Sequence, residues 1–99
     1  MSDGDPRVGI ITRLQVHAHE VAHAVDVFAA MQADVLANEP GTVEYRFYRD
    51  ADDDTVFWVH ELFADEAAKQ LHLVSHRERR ADFDRVLAEP AVFHLVTPL

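Results

Sequence analysis

Thr42-Val43-Glu44-Tyr45-Arg46-Phe47-Tyr48-Arg49-Asp50, followed after a short acidic break by Thr55-Val56-Phe57-Trp58-Val59-His60-Glu61-Leu62-Phe63, carries the clearest structural signal in the chain. In the first run Val43, Tyr45, Phe47 and Arg49 alternate with Glu44, Arg46 and Tyr48, the period of two that marks a strand. Residues 51–54 (Ala-Asp-Asp-Asp) form a turn, so the two runs make a hairpin. In the second run Val56, Trp58 and Leu62 fall on one face, and Phe57, Val59 and Phe63 on the other. A strand apolar on both faces requires cover on both sides of its sheet.

Upstream, Val8 to Val16 alternates, with Val8, Ile10, Leu14 and Val16 on one face, and predicts a first strand. From Glu20 to Asn38 the period lengthens, and Val21, Val25, Phe28, Met31 and Val35 mark one apolar stripe on a long helix. Glu39-Pro40-Gly41 stops it, because proline forces its predecessor out of the helical region. Downstream, Asp65 is the expected N-cap of a second helix lined on one side by Ala67, Ala68, Leu71 and Val74. A helical continuation over 76–89 turns Phe83, Val86 and Leu87 inward and ends at Pro90, and 91–97 reads as a closing strand. The order βαββαβ is the ferredoxin-like α+β arrangement on an antiparallel sheet. One such domain spans 8–99, and residues 1–7 are expected to be a flexible N-terminal arm. Two helices cover only one face of a four-stranded sheet. A homodimer packed through the sheet faces is therefore expected.

Ninety-nine residues suffice for one core without staples. Asp and Glu total 18 against 9 Lys and Arg, a formal charge of −9, which argues against nucleic-acid or anionic-membrane binding as the main task. Residues 1–7 lack the basic start and apolar stretch of a secretory peptide, and no apolar run nears a membrane span; a cytoplasmic location is expected. The absence of Cys excludes disulfides, thiolate metal sites and a thiol nucleophile. Three Gly and no phosphate-loop or nucleophile-elbow pattern leave little room for nucleotide or serine-hydrolase chemistry.

Two motifs imitate metal sites. His19-Glu20-Val21-Ala22-His23 satisfies the H-E-x-x-H zinc signature, yet on a helix both His lie nearly opposite the stripe begun by Val21 and Val25, and no third ligand follows in a suitable setting. Asp50, Asp52, Asp54 and Glu61 fit positions 1, 3, 5 and 12 of a calcium loop, but Thr55 replaces the required glycine and a strand follows. Both read as solvated surface. His72 and His76, four apart beside Ser75, offer either a general base or a ligand pair. Tyr45, Tyr48, Trp58 and His60 could line an aromatic pocket, although a strand tryptophan also serves a core or an interface. Glu61, set among apolar neighbours, needs a partner: Arg13, Arg46 or a ligand, with an arginine preferred.

The segments Glu39–Asp50, Phe57–Phe63, Asp65-Glu66-Ala67-Ala68 and His72-Leu73-Val74-Ser75 together resemble the antibiotic biosynthesis monooxygenases, the quinol monooxygenase-like family, over about residues 8–83. The resemblance implies a dimeric α/β barrel of ferredoxin-like subunits, each with an apolar pocket between sheet and helices. It implies oxygenation of quinol- or anthrone-like aromatics with no cofactor and no metal, since the ionised substrate itself supplies electrons to O2. His72 matches the family's helix histidine and becomes the candidate base or anion partner; Trp58 and His60 become pocket walls. Ser75-His76-Arg77-Glu78 departs from the family's S-P-H-F, which shifts His76 by one position. A non-catalytic dimeric module that binds a small aromatic is the alternative.

Overall fold

The computed structural model describes residues 4–99. The chain runs β1 (Val8–Gln15), a single 3-10 turn (Ala18–Glu20), α1 (Val21–Asn38), β2 (Thr42–Arg49), β3 (Val56–Phe63), α2 (Glu66–Glu78), α3 (Arg80–Val86) and β4 (Val92–Val96). The four strands form one antiparallel sheet in the order β2-β3-β1-β4. This is the expected ferredoxin-like topology, with the second helical region broken in two at Arg79. Of the arm expected over 1–7, residues 1–3 lie outside the described residues, and Asp5 pairs with Arg7.

The core lies between the sheet and the helices. Phe28 of α1 stacks on Phe47 of β2 at 4.6 Å and meets Phe57 of β3 edge-on at 5.2 Å, geometries that suit the ring quadrupole. Ala24, Met31 and Val35 complete the buried stripe. Val25 is exposed, so the inward face in the first turns of α1 runs through Ala24. β2 also slips: a bulge after Thr42 leaves Val43 unpaired and exposed, so Thr42 and Tyr45 turn inward.

The largest departure concerns α2. Asp65 caps it as expected, accepting from the Ala68 N–H at 2.9 Å. Leu71 and Val74, however, are 73% and 52% exposed, and the residue buried against the sheet is His72. The continuation stops at Val86, and Leu87 is extended, bridging Val16.

A glycine explains how α2 is seated. A Cβ on Gly41 would lie 2.7 Å from the Ala68 Cβ, so the α1–β2 turn touches the first turn of α2 only because Gly41 has no side chain. His72 is four residues beyond Ala68, on the same helical face. The far face of the sheet carries Ile11, Tyr48, Trp58, His60 and Val92 and has no helix over it. Among the described residues, no helix is long and apolar enough to cross a membrane.

Gly41→Ala is expected to force α2 from the turn and to destabilise the fold by about 1–3 kcal/mol, read as a lower urea midpoint.

Candidate active site

The close approach at Gly41 brings Glu39, from the end of α1, against α2. Glu39 Oε1 lies 2.8 Å from His72 Nδ1, and Glu61 Oε1 of β3 lies 3.1 Å from His72 Nε2. The imidazole is 2% exposed, clamped between two carboxylates and flanked by the rings of Tyr45 and Phe63, each 5.2 Å away between centroids. Burial opposes its charge, but the hydrogen bonds and charges of Glu61 and Glu39 outweigh it and hold the pKa above the ordinary histidine value. Both ring nitrogens face carboxylate oxygens, an arrangement that favours the imidazolium form of His72.

The clamp is anchored outward. Thr42 Oγ1 donates to Glu39 Oε1 at 3.0 Å, and Arg79, at the α2–α3 junction, reaches Glu39 Oε2 at 3.2 Å while pairing with Asp34 of α1. A continuous polar chain, Asp34–Arg79–Glu39–His72–Glu61, thus runs from the helix surface to the sheet.

Its inner end opens on a cavity of about 770 Å3 between the inner face of the sheet and α2, α3 and the segment leading to β4. Ile10, Val59, Phe83, Phe93 and Leu95 supply apolar wall, while Glu61, Tyr45, His76 and Thr12 bring polar groups to it. The Tyr45 phenol is pushed above its usual range by burial and by the Glu61 carboxylate, and stays protonated. Burial, then the positive charges of His72, Arg79 and Arg80, hold the His76 pKa below its usual value, so His76 is neutral near pH 7. Three buried polar side-chain atoms lack a hydrogen bond among the described residues: Thr12 Oγ1, His76 Nδ1 and Arg79 Nε. The first two belong to cavity-lining residues.

His72, His76 and Tyr45 therefore meet at one place. Trp58 and His60 do not. They stand on the uncovered sheet face, where the Trp58 indole N–H donates to Asp50 Oδ1 at 2.9 Å and His60 Nδ1 lies 3.7 Å from Glu44. Arg13 and Arg46 share that far face, so Glu61 pairs with His72 in place of an arginine. Glu39 and Thr12 were not among the residues singled out from sequence. The one available sign for Thr12 was a polar residue interrupting the apolar face of β1 between Ile10 and Leu14.

The motif at 19–23 straddles the 3-10 turn and the start of α1, with both His exposed. The acidic run is a hairpin turn, in which Asp50 accepts from the Asp52 and Asp53 N–H groups at 3.1 Å and Asp53 from Thr55. Among the described residues, no group of three or more His, Asp or Glu is placed to hold a metal ion.

Residues 7–88 match the family model of the antibiotic biosynthesis monooxygenases. The chain belongs to that family. A Caulobacter crescentus CB15 protein named for the same family superposes with a TM-score of 0.88 at 26% identity, over 96% of this chain and 92% of that one. Rv0793 from Mycobacterium tuberculosis gives 0.83 at 22% identity, over 94% and 95%. A variant of SnoaB, a cofactor-independent oxygenase from Streptomyces nogalater, gives 0.78 at 20%, over 94% and 93%. The last two share the fold. No curated protein sequence matches the chain significantly.

The clamp has a spectroscopic consequence. In long-range 1H–15N spectra near pH 7 both ring nitrogens of His72 should be protonated, and Glu61→Gln or Glu39→Gln should lower its titration midpoint. A pKa raised on folding contributes stability in full below the unfolded value of about 6.5, and that contribution is lost as pH rises through the raised folded value. The unfolding free-energy difference between wild type and His72→Gln should therefore shrink as pH rises from 6.5 to 9.

Proposed function

We propose that the chain is a cofactor-independent monooxygenase acting on a small electron-rich aromatic of quinol or anthrone type. One observation carries the reading: a carboxylate, Glu61, held by the buried His72 imidazole at the wall of a largely apolar cavity in a chain of this family. Glu61 Oε1 is held by His72, while its second oxygen bonds no group among the described residues and can accept from a phenolic hydroxyl. His72 acts through Glu61, since both its nitrogens are engaged. Tyr45 stays neutral and offers a hydroxyl, and the neutral imidazole of His76 completes the polar wall.

The chemistry asked of these groups is limited. Glu61 takes the hydroxyl proton, and the resulting anion transfers one electron to O2. Recombination of the radical pair forms a carbon–oxygen bond, and protonation by Glu61 gives a hydroperoxide. Cleavage of its O–O bond, with loss of the geminal C–H proton, leaves a carbonyl on the ring and releases water. One substrate and one O2 thus yield one oxygenated product and one water. The apolar walls destabilise neither the neutral substrate nor O2, and they keep bulk water from the anion.

An oxygen electrode with hydroquinone and anthrone substrates tests this. Enzyme-dependent uptake is expected, reduced about 10²-fold or more in Glu61→Gln and in His72→Ala. Full turnover in either variant removes the assigned role, and saturable aromatic binding without oxygen uptake makes the chain a binding module.

The uncovered face, with Ile11, Tyr48, Trp58 and Val92, supports a homodimer packed sheet to sheet. Sedimentation equilibrium at micromolar concentration should give twice the 11.2 kDa chain mass, and Ile11→Glu should give the single mass. A stable wild-type monomer would overturn the assembly.

A further inference from the structure

One row of the sheet register crosses the inner face as Tyr45, Glu61, Ile10 and Leu95, from β2 to β4, and all four residues line the cavity. Tyr45 and Glu61 are therefore direct cross-strand neighbours, with Cβ atoms roughly 4.5–5.5 Å apart. Both meet the same imidazole: Glu61 Oε1 lies 3.1 Å from His72 Nε2, and the Tyr45 ring centroid is 5.2 Å from that of His72. The Tyr45 hydroxyl makes no hydrogen bond among the described residues. It is not one of the three buried unpartnered side-chain atoms either, so it opens on the cavity that its ring lines. The second Glu61 oxygen is open in the same way.

A carboxylate that accepts beside a hydroxyl that donates is complementary to a ketone. The carbonyl oxygen faces the donor, and the acidic hydrogen on the adjoining carbon faces the base. Negative charge develops on the carbonyl oxygen as that C–H bond breaks, and a fixed donor in an apolar site stabilises it there. Burial and the Glu61 carboxylate hold the proton on Tyr45, which therefore donates a hydrogen bond without ionising. Beyond the pair, Ile10, Val59, Phe93 and Leu95 form an apolar floor two strand spacings wide. That width, about 9.5 Å, accommodates a fused bicyclic ring.

We propose that this cavity has a second activity that needs no oxygen: the enolisation of cyclic aryl ketones, with Glu61 taking the α-proton and Tyr45 hydrogen-bonding the carbonyl oxygen. The α C–H bond breaks and its proton moves to Glu61. Its electron pair forms the C=C bond, and the carbonyl π pair moves onto the oxygen under the Tyr45 hydroxyl. Return of a proton from Glu61 to the same carbon restores the ketone. Nothing is oxidised or reduced, so no co-reactant enters. The activity shares its base with the oxygenase reading but needs no electron transfer to O2.

The test is hydrogen exchange into 2-tetralone, followed by 1H NMR in buffered D2O near neutrality under argon. Wild type should speed the loss of the C1 proton signal over buffer in proportion to enzyme concentration. Glu61→Gln and Tyr45→Phe, each verified as folded by its urea midpoint, should slow the enzyme-dependent rate about 10²-fold. 2-Naphthol, a planar mimic of the enol, should inhibit wild type competitively, a readout that requires no variant. Exchange no faster than in buffer, an undiminished rate in either folded variant, or no inhibition by 2-naphthol overturns the proposal. Oxygen uptake with hydroquinone and anthrone is scored separately in air. Exchange without uptake removes the oxygenase reading and leaves enolisation standing; uptake without exchange does the reverse.

Discussion

The arrangement of this molecule hangs on His72, whose buried ring is held between Glu39 and Glu61. Three separate pieces of chain contribute to it: the turn after α1, the third strand and the second helix. Each carboxylate alone would be costly where it lies, and so would the imidazolium. Together they neutralise most of one another, and the residual negative charge is met by Arg79 on the Glu39 side. The clamp sets the height of α2 above the sheet, and the height of α2 sets the width of the cavity.

Such buried ion pairs are weak sources of net stability, because desolvation offsets much of their attraction. Their effect here is better described as positional. An apolar α2 face with Leu71 and Val74 inward would pack on the sheet at several neighbouring registers. His72 accepts only the register in which both nitrogens find an oxygen. Gly41 makes that register reachable, since any side chain at 41 would collide with Ala68 one turn before His72. The same constraint leaves Leu71 and Val74 exposed.

That accounts for what could and could not be read from the sequence. Strands alternate and α1 repeats because both follow from burial of apolar side chains, so the element order and the hairpin were legible. The face of α2 was not, since hydrophobic periodicity assumes that the buried side is the apolar one. A histidine buried by two carboxylates 33 and 11 residues away breaks that assumption without leaving a local trace. The slip in α1 from Val25 to Ala24, and the bulge at Val43, have the same character: each is set by what lies across the interface. The placement of Trp58 and His60 was within reach, however. They share the parity of Val56 and Leu62, whereas Glu61 shares that of Phe57, Val59 and Phe63. No strand places Trp58 and Glu61 on one wall, so a pocket built around Glu61 and His72 had to exclude Trp58 and His60.

Four exceptions to ordinary folding logic in this chain share one location, and the unsatisfied Arg79 Nε lies apart from it. The buried His72, the Glu61 carboxylate on an apolar strand face, and Thr12 and His76 with their unsatisfied side-chain atoms all belong to the lining of the same cavity. Elsewhere the acidic surplus sits in capped turns and on helix surfaces, where it obeys local rules. A 99-residue domain has only a few kcal/mol of stability to spare, so four departures gathered by drift at one place would be hard to sustain. Their convergence is better explained by use, because real sequences depart from local rules chiefly where a ligand or a reaction compensates. The outer face of the sheet makes the opposite case: its apolar residues depart from the rules for a monomer surface, but they bring no unsatisfied polar group with them. It is an apolar surface without a partner element, whereas the inner cavity combines apolar walls with unsatisfied polar groups.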